Sequence, residues 1–554
     1  MRSDLAVLFG LALAKVIFHL VTSSGWGIFR DELYYLACAN RLDWGYVDHP
    51  PLSIAVLALS RALFGDSLLA IRLPVALAGG ASVFVTGLIA RELGGRRGAQ
   101  VLAGLATCFA PQFVAVSHFF SMNAFDVLFW ALLGWLAVRI LRREQPRLWL
   151  AFGAVAGLGL QNKLTTGVFI VGLIVGLALS PQRRQLLSPW LWLGGALAAA
   201  ILAPHLWWQL QHGFPTAEFT ANAGAIKNVH MGAVEFFLAQ ITLAHPLATP
   251  LWLVGLWALA FSFAPVGIPP FSCPPFEKGG RGGISQPTPA PRASGAELRK
   301  IPPHPPFSKG GNEKGGTRAL AIAYAVAFAL LVAQNGKVYY LTPIYPLLYG
   351  AGAAWLEAAA RRRAWGWPMP LAATLMLIGG AITTPLAMPL LSVEQYQAYA
   401  ETIGLKPPRM ENNRTAALPQ IFADMFGWED LADTVARAAD RLTPEERARA
   451  VIYAQNYGEA GAIERFGPAR HLPRVISGHN TYWLWGPGDL RPDDTVIVIG
   501  GTPEQVGALF ASVELVETRH CTYCMPFEND LPIYFARQPR LPLDQLWQRL
   551  KRFV

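Results

Sequence analysis

Charge is what this sequence has least of. Only 15% of its 554 residues are Asp, Glu, Lys or Arg, against roughly a quarter in soluble chains, while 53% are hydrophobic. Such a composition excludes an ordinary soluble globule and asks where the apolar excess is gathered. Long apolar runs occupy 5–24, 68–90, 101–117, 125–141, 189–210, 246–263, 319–333, 343–356 and 368–391. Each is near, or slightly short of, the ~20 residues that cross a bilayer core. Two shorter runs, 148–160 and 164–180, read as a pair joined at Gln161, Asn162 and Lys163. The expected fold class is a polytopic α-helical membrane protein with about eleven transmembrane helices. The first run lacks a clear small-residue cleavage site and is followed by many spans, so it reads as a helix and not as a signal peptide.

Cysteine is also scarce. Cys38, Cys108, Cys273, Cys521 and Cys524 are scattered, and only the last two stand close enough to pair. One Cys pair gives no tetrahedral zinc site, and no His follows Cys524 as haem attachment requires. A local disulfide and two free thiols remain the alternatives for this pair. The internal repeats expected of a secondary transporter or lipid flippase are missing as well. One short repetition exists, Pro274 to Gly280 echoed by Pro305 to Gly311, inside a Pro/Gly-rich stretch at 264–317. That stretch cannot bury a core and reads as a disordered cytoplasmic insertion with no catalytic role.

Positive charge exceeds negative by ten, and its placement carries information. With a cytoplasmic amino terminus, the loops at 91–100, 142–147, 181–188, 264–318 and 361–363 hold 19 Lys or Arg. The opposite loops before residue 346 hold six: Arg30, Arg41, Arg61, Lys163, Lys227 and Lys337. The bias is a topology signal, with no reason to invoke nucleic acid. It orients the chain with its amino terminus cytoplasmic and residues 392–554 extracytoplasmic. These residues form a second compositional unit beside the membrane domain at 1–391. Apolar β-branched runs at 450–453, 495–499, 513–516 and 533–536 alternate there with helical patterns at 426–442 and 503–510. The alternation predicts a small extracytoplasmic α/β domain.

Chemistry-bearing residues crowd the first extracytoplasmic loop. Arg30, Asp31, Glu32, Tyr34 and Tyr35 precede Asp43, Tyr46, Asp48, His49, Pro50 and Pro51. The two prolines hold Asp48 and His49 at the mouth of the next helix, and 53–64 reads as an amphipathic helix on the membrane surface with Arg61 on its polar side. A solvated connector, its acids paired with Arg30 and Arg41, would account for this loop alone. Further polar groups gather at the same membrane face, however: His118, Asn123, Asp126, Lys163, Lys337, Tyr339 and Tyr340. A transporter would instead carry ionisable groups at the bilayer midplane. Lys15 and His19 do lie inside the first run and have no assigned partner.

The pattern Asp31-Glu32-Leu33-Tyr34-Tyr35, Tyr46-Val47-Asp48-His49-Pro50-Pro51, Met122-Asn123-Ala124-Phe125-Asp126 and Lys337-Val338-Tyr339-Tyr340-Leu341-Thr342-Pro343 resembles the glycosyltransferase family 39 group of the GT-C superfamily. That group includes protein O-mannosyltransferases and lipid A aminoarabinose transferases. The tail is similar to bacterial members at 418–428 and 455–462. The resemblance implies a membrane glycosyltransferase that takes a sugar from a polyprenyl-phosphate donor, with inversion, onto a lipid, polysaccharide or protein acceptor. It implies that Asp31 is the catalytic base. Glu32 is a second catalytic candidate beside it. Arg30, Tyr35, Asp48, His49, Asn123, Lys163, Lys337, Tyr339 and Tyr340 are the expected substrate contacts. No cofactor is required by this chemistry, and Asp48 with His49 is the place a divalent cation would take. Some relatives carry Glu-Lys where this chain has Asp48-His49, which puts that metal role in doubt.

Overall fold

The computed structural model of the chain describes residues 2–261, 316–405 and 411–554. The expected insertion therefore lies, but for its last two residues, outside the described residues, together with its repeat and Cys273. Among the described residues, five helices are long and apolar enough to cross a membrane: Asp4–Val21, Leu68–Glu92, Met122–Arg143, Pro189–Gln211 and Pro368–Ala387. Two bent pairs raise the number to seven if each is one span: Thr166–Ala178 with Pro181–Leu187, and Ala233–Leu243 with Pro246–Phe261. The chain is a multi-pass helical membrane protein.

This is fewer than the runs read from the sequence, because Leu148–Asn162 and Arg318–Ala333 are short for a span and the run at 101–117 is broken. The run at 101–117 divides into Arg97–Phe109 and Pro111–Val116, since Pro111 has no N–H to continue a ladder and Ala110 before it is extended. Ahead of Tyr345–Arg362 the chain makes a 3₁₀ turn, Val338–Ile344. Leu52–Phe64 is a helix as expected, with Ser53, Ile54, Leu57 and Ser60 buried at helical spacing and Leu59 and Leu63 exposed.

Small residues let the helices approach closely. A Cβ on Gly153 would strike the backbone of Gly194, and one on Gly176 would strike that of Ala319. Contact of this kind replaces the hydrophobic drive that lipid removes.

The tail carries a five-stranded sheet of β1 (Val451–Ala454), β2 (Val475–Ser477), β3 (Val496–Ile499), β4 (Phe510–Arg519) and β5 (Leu531–Pro539), in the order β2-β1-β3-β5-β4. β1 runs parallel to β2 and β3, and β5 is antiparallel to β3 and β4. Every residue of β1 and β3 is buried, as expected of strands covered on both faces. β2, too short to show a pattern, escaped the sequence reading. The expected helices at 426–442 and 503–510 are shorter, Trp428–Ala439 and Pro503–Gly507. Cys521 and Cys524 are joined by a disulfide.

One apolar core runs through both parts. Leu33, Leu36, Ile54 and Trp130 belong to the same buried cluster as Ile452, Ile463 and Ile497 of the tail. The seam is the contact of the Arg30–Ala39 helix with the Tyr457–Phe466 helix. A Cβ on Gly461 would sit 2.8 Å from Leu33, and one on Gly458 would strike the Arg30 side chain.

Candidate active site

The first loop of the sequence is largely helical, Arg30–Ala39, and this decides what its adjacent acids do. Neighbouring side chains on a helix point about 100° apart. Asp31 keeps 32% of its side chain exposed, whereas Glu32 is closed to solvent. The Glu32 carboxylate accepts from Arg72 Nε at 2.8 Å and Nη2 at 2.7 Å, from the Phe29 amide at 2.8 Å and from the Phe120 amide at 2.7 Å. With its acceptor positions filled and no exposure, Glu32 ties three segments together and has no access to a reacting hydroxyl. The expectation of Glu32 as a second catalytic carboxylate is corrected on that ground to a structural role.

Asp31 accepts the phenol proton of Tyr457 at 2.9 Å and lies 3.8 Å from Arg30 Nε. Arg30 also donates to the Tyr457 oxygen at 3.2 Å and faces Asp424 at 3.7 Å. Burial pushes the Asp424 carboxyl up to about 6, Arg30 opposing. Burial works against the Arg30 cation, but the charges of Asp424 and Asp31 outweigh it and raise the guanidinium further.

A second charged group adjoins the first. Lys337 lies 2.7 Å and Lys227 3.6 Å from one carboxylate, Glu411, which also accepts from Gln420 at 3.1 Å. Burial alone would raise Glu411, yet Lys337, Lys227 and Arg30 hold it well below the usual carboxylate range. Lys337 is raised, with Tyr339 and Glu411 overcoming burial; the more distant Lys227 is lowered because burial wins. Two cations thus share one anion. Lys337 and Tyr339 also line a cavity of about 750 Å³, walled mainly by apolar side chains such as Val229, Leu243, Leu386, Tyr396 and Ile421.

The remaining expected residues fall beside these. Tyr34 donates to Asp48 at 2.7 Å, and the buried His49 lies 4.0 Å from Asp48 through Nε2. Tyr35 packs edge-on against His49 with centroids 5.1 Å apart and feels the charges of Asp31 and Asp48, which add to burial in raising its phenol. Lys163 donates to Asn123 at 2.7 Å, lies 3.8 Å from Asp126 and sits 4.1 Å above the Tyr340 ring and 5.5 Å from that of Tyr339. Arg30, Asp31, Tyr35, Asp48, His49, Asn123, Lys163, Lys337, Tyr339 and Tyr340 thus lie in neighbouring groups at the tail end of the bundle.

A resident divalent cation fits poorly. His49 Nδ1 is 3.0 Å from the Pro50 carbonyl, which makes it the N–H and leaves Nε2 as a buried lone pair towards Asp48. That supplies two protein ligands, and among the described residues no group of three His, Cys, Asp or Glu could hold a metal, too few for the oxygen cage of calcium or the protein ligand set of zinc.

Glu411, Asp424, Tyr457 and Lys227 were not singled out from the sequence. Asp424 and Tyr457 fall inside the tail segments 418–428 and 455–462 that carried the resemblance. Nothing marked Glu411, and Lys227 had counted only as a loop charge.

Comparison with known proteins agrees with this architecture. Residues 48–208 match the family model described as dolichyl-phosphate-mannose-protein mannosyltransferase. The crystal structure of ArnT from Cupriavidus metallidurans, bound to undecaprenyl phosphate, superposes with a TM-score of 0.51 over 96% of this chain and 97% of that one, at 16% identity. The chain shares the fold of that protein. The lipid A galacturonosyltransferase RgtD of Rhizobium johnstonii is 26% identical over 262 residues, 47% of this chain and 54% of that protein. The putative mannosyltransferase YkcB of Bacillus subtilis is 30% identical over 125 residues, 23% of this chain and 17% of that protein. The chain thus spans about half, or less, of the length of these curated relatives.

Proposed function

We propose that this chain is a glycosyltransferase that moves a sugar from a polyprenyl-phosphate carrier onto a hydroxyl acceptor with inversion, and that Asp31 is its base. One observation carries the reading: a partly exposed carboxylate with fixed partners stands beside a lysine pair, one member of which lines an apolar cavity. The cavity suits an isoprenoid chain, and Lys337 with Lys227 suits the phosphate. The placement of the tail on the extracytoplasmic side of a bacterial inner membrane rests on the Lys/Arg bias.

In this mechanism the acceptor oxygen attacks the anomeric carbon from the face opposite the phosphate while Asp31 takes its proton. The carbon–oxygen bond to phosphate breaks, and the polyprenyl phosphate leaves as an anion. Lys337 and Lys227 meet its charge, joined by Lys163, and Tyr35, Asp48, Asn123, Tyr339 and Tyr340 bound the sugar site. Because a phosphodiester is already a good leaving group, one base suffices and no cofactor is asked for. The acceptor class is a lipid, a polysaccharide or a protein.

The test is transfer of labelled sugar from a panel of polyprenyl-phosphate sugars by purified wild type and Asp31→Asn. A fall of about 10² or more in kcat is the result expected on loss of a general base. Equal activity moves the base elsewhere, and carrier movement without sugar transfer turns the reading towards a flippase.

A further inference from the structure

We propose that the tail domain completes the active site, with Tyr457 as the positioning residue that orients Asp31 for proton transfer. The inference rests on the glycosyltransferase reading above and gives the tail a part in it that neither composition nor fold assigns.

The hydrogen bonds have one consistent direction. Arg30 carries donors only, so its bond at 3.2 Å uses the Tyr457 oxygen as acceptor. The phenol proton is then free for Asp31 Oδ1, 2.9 Å away. With Oδ1 engaged, Oδ2 is the oxygen left to receive a proton.

The phenol is held on every side. Its ring stacks on Tyr34 at 4.8 Å and lies 4.7 Å from His479. The Tyr457 amide donates to His479 Nδ1 at 3.3 Å, while His479 Nε2 donates to the Val554 carbonyl at 2.9 Å. Asn456 caps the helix that begins at Tyr457 through the amides of Gly458 and Glu459. Gly458 and Gly461 bring that helix against Arg30 and Leu33 more closely than any side chain would allow. A residue 426 positions from Asp31 in the chain is thereby fixed at hydrogen-bond distance.

The same logic repeats at Asp48. Tyr34 spends its proton on Asp48, so the 2.6 Å contact between Tyr34 and Thr481 has Thr481 as donor. Thr481 in turn accepts from the Val47 amide at 3.1 Å. Each carboxylate is held by a phenol, and each phenol is anchored by the tail.

A group that only packs the two parts together would lower stability when changed and spare turnover. Tyr457→Phe in the full-length protein keeps the ring and removes one hydroxyl. The expected result is a fall in kcat of about tenfold or more, the scale of a hydrogen bond to a charged group, with KM for donor and acceptor unchanged. Combined with Asp31→Asn it adds nothing further, because the carboxylate it positions is already gone. Asp31→Glu tests the same bond from the other side if Tyr457→Phe does not fold: the base stays, its oxygens move by one methylene, and kcat falls by a similar factor of about ten. Wild-type turnover in Tyr457→Phe, with Asp31→Asn inactive, overturns the positioning role and leaves the transferase reading standing. Full activity of Asp31→Glu overturns it likewise. Absence of transfer by wild type on the whole donor panel overturns both.

Discussion

Glu32 and Arg72 meet through two hydrogen bonds, with both side chains closed to solvent, one residue along from a carboxylate that is a third open. Two adjacent acids therefore fail in different ways when neutralised. Glu32→Gln leaves a buried guanidinium without its counter-charge, a defect that costs about 3–5 kcal/mol, so a marked fall in Tm and in yield is expected. Asp31→Asn should keep a Tm close to wild type while losing turnover. Thermal unfolding of both variants in the same detergent checks the contrast.

Lys337 and Lys227 share Glu411 as their common partner. Glu411→Gln frees two half-buried cations from their common partner, so the variant without lipid is expected to melt lower and to gain more in Tm on adding polyprenyl phosphate than wild type does. Lys337→Met should weaken that lipid's binding by about tenfold or more, the scale of a lost charge-assisted contact. Thermal shift against a lipid titration reads both.

Burial pushes the Glu528 carboxyl up to about 7 from 4.5, Asp424 adding to it and Asn456, Arg30 and Arg519 opposing, and burial with Glu528 raises its neighbour Glu459 as well. A carboxyl raised on folding stabilises the protonated folded form. That contribution is complete below 4.5 and is lost as pH rises through about 7. Stability is expected to decline across this window, and Glu528→Gln to flatten the decline, giving a Tm above wild type near pH ~8. Tm against pH for the two proteins tests it.

Gly461 has no room for a side chain, since Leu33 lies 2.8 Å from where its Cβ would be. Gly461→Val is expected to push the Tyr457 helix away from the Arg30 helix and to lower kcat. None of the named cavity walls lies on either helix, so polyprenyl-phosphate binding should persist, and a lipid thermal shift beside the turnover assay separates the two.

Features with a local cause could be read from the sequence. Apolar length marked membrane helices, although the Ala110–Pro111 break turned the run at 101–117 into a pair. The acidic loop pointed to Asp31 and Asp48, but adjacency said nothing about which of Asp31 and Glu32 faced inward; that depended on Arg72, 40 residues away on another helix. Glu411 was illegible for a related reason. One acid among the tail's many charges acquires meaning only from Lys227 and Lys337, which no local pattern connects to it. Tyr457 lay inside a segment already marked by resemblance, yet its partner is 426 residues distant.

The composition changes sharply near residue 391, and a protease or a cloning strategy would take that as the place to cut. The shared buried cluster, with Leu33 and Ile54 on one side and Ile463 and Ile497 on the other, gives such a cut a different meaning. Each fragment would expose half of a contact surface meant to be dry, and the membrane fragment would retain Asp31 without the hydroxyl that orients it. The two halves stand to each other as stock and scion do after a graft has taken: distinguishable in their tissue, and alive only across the union.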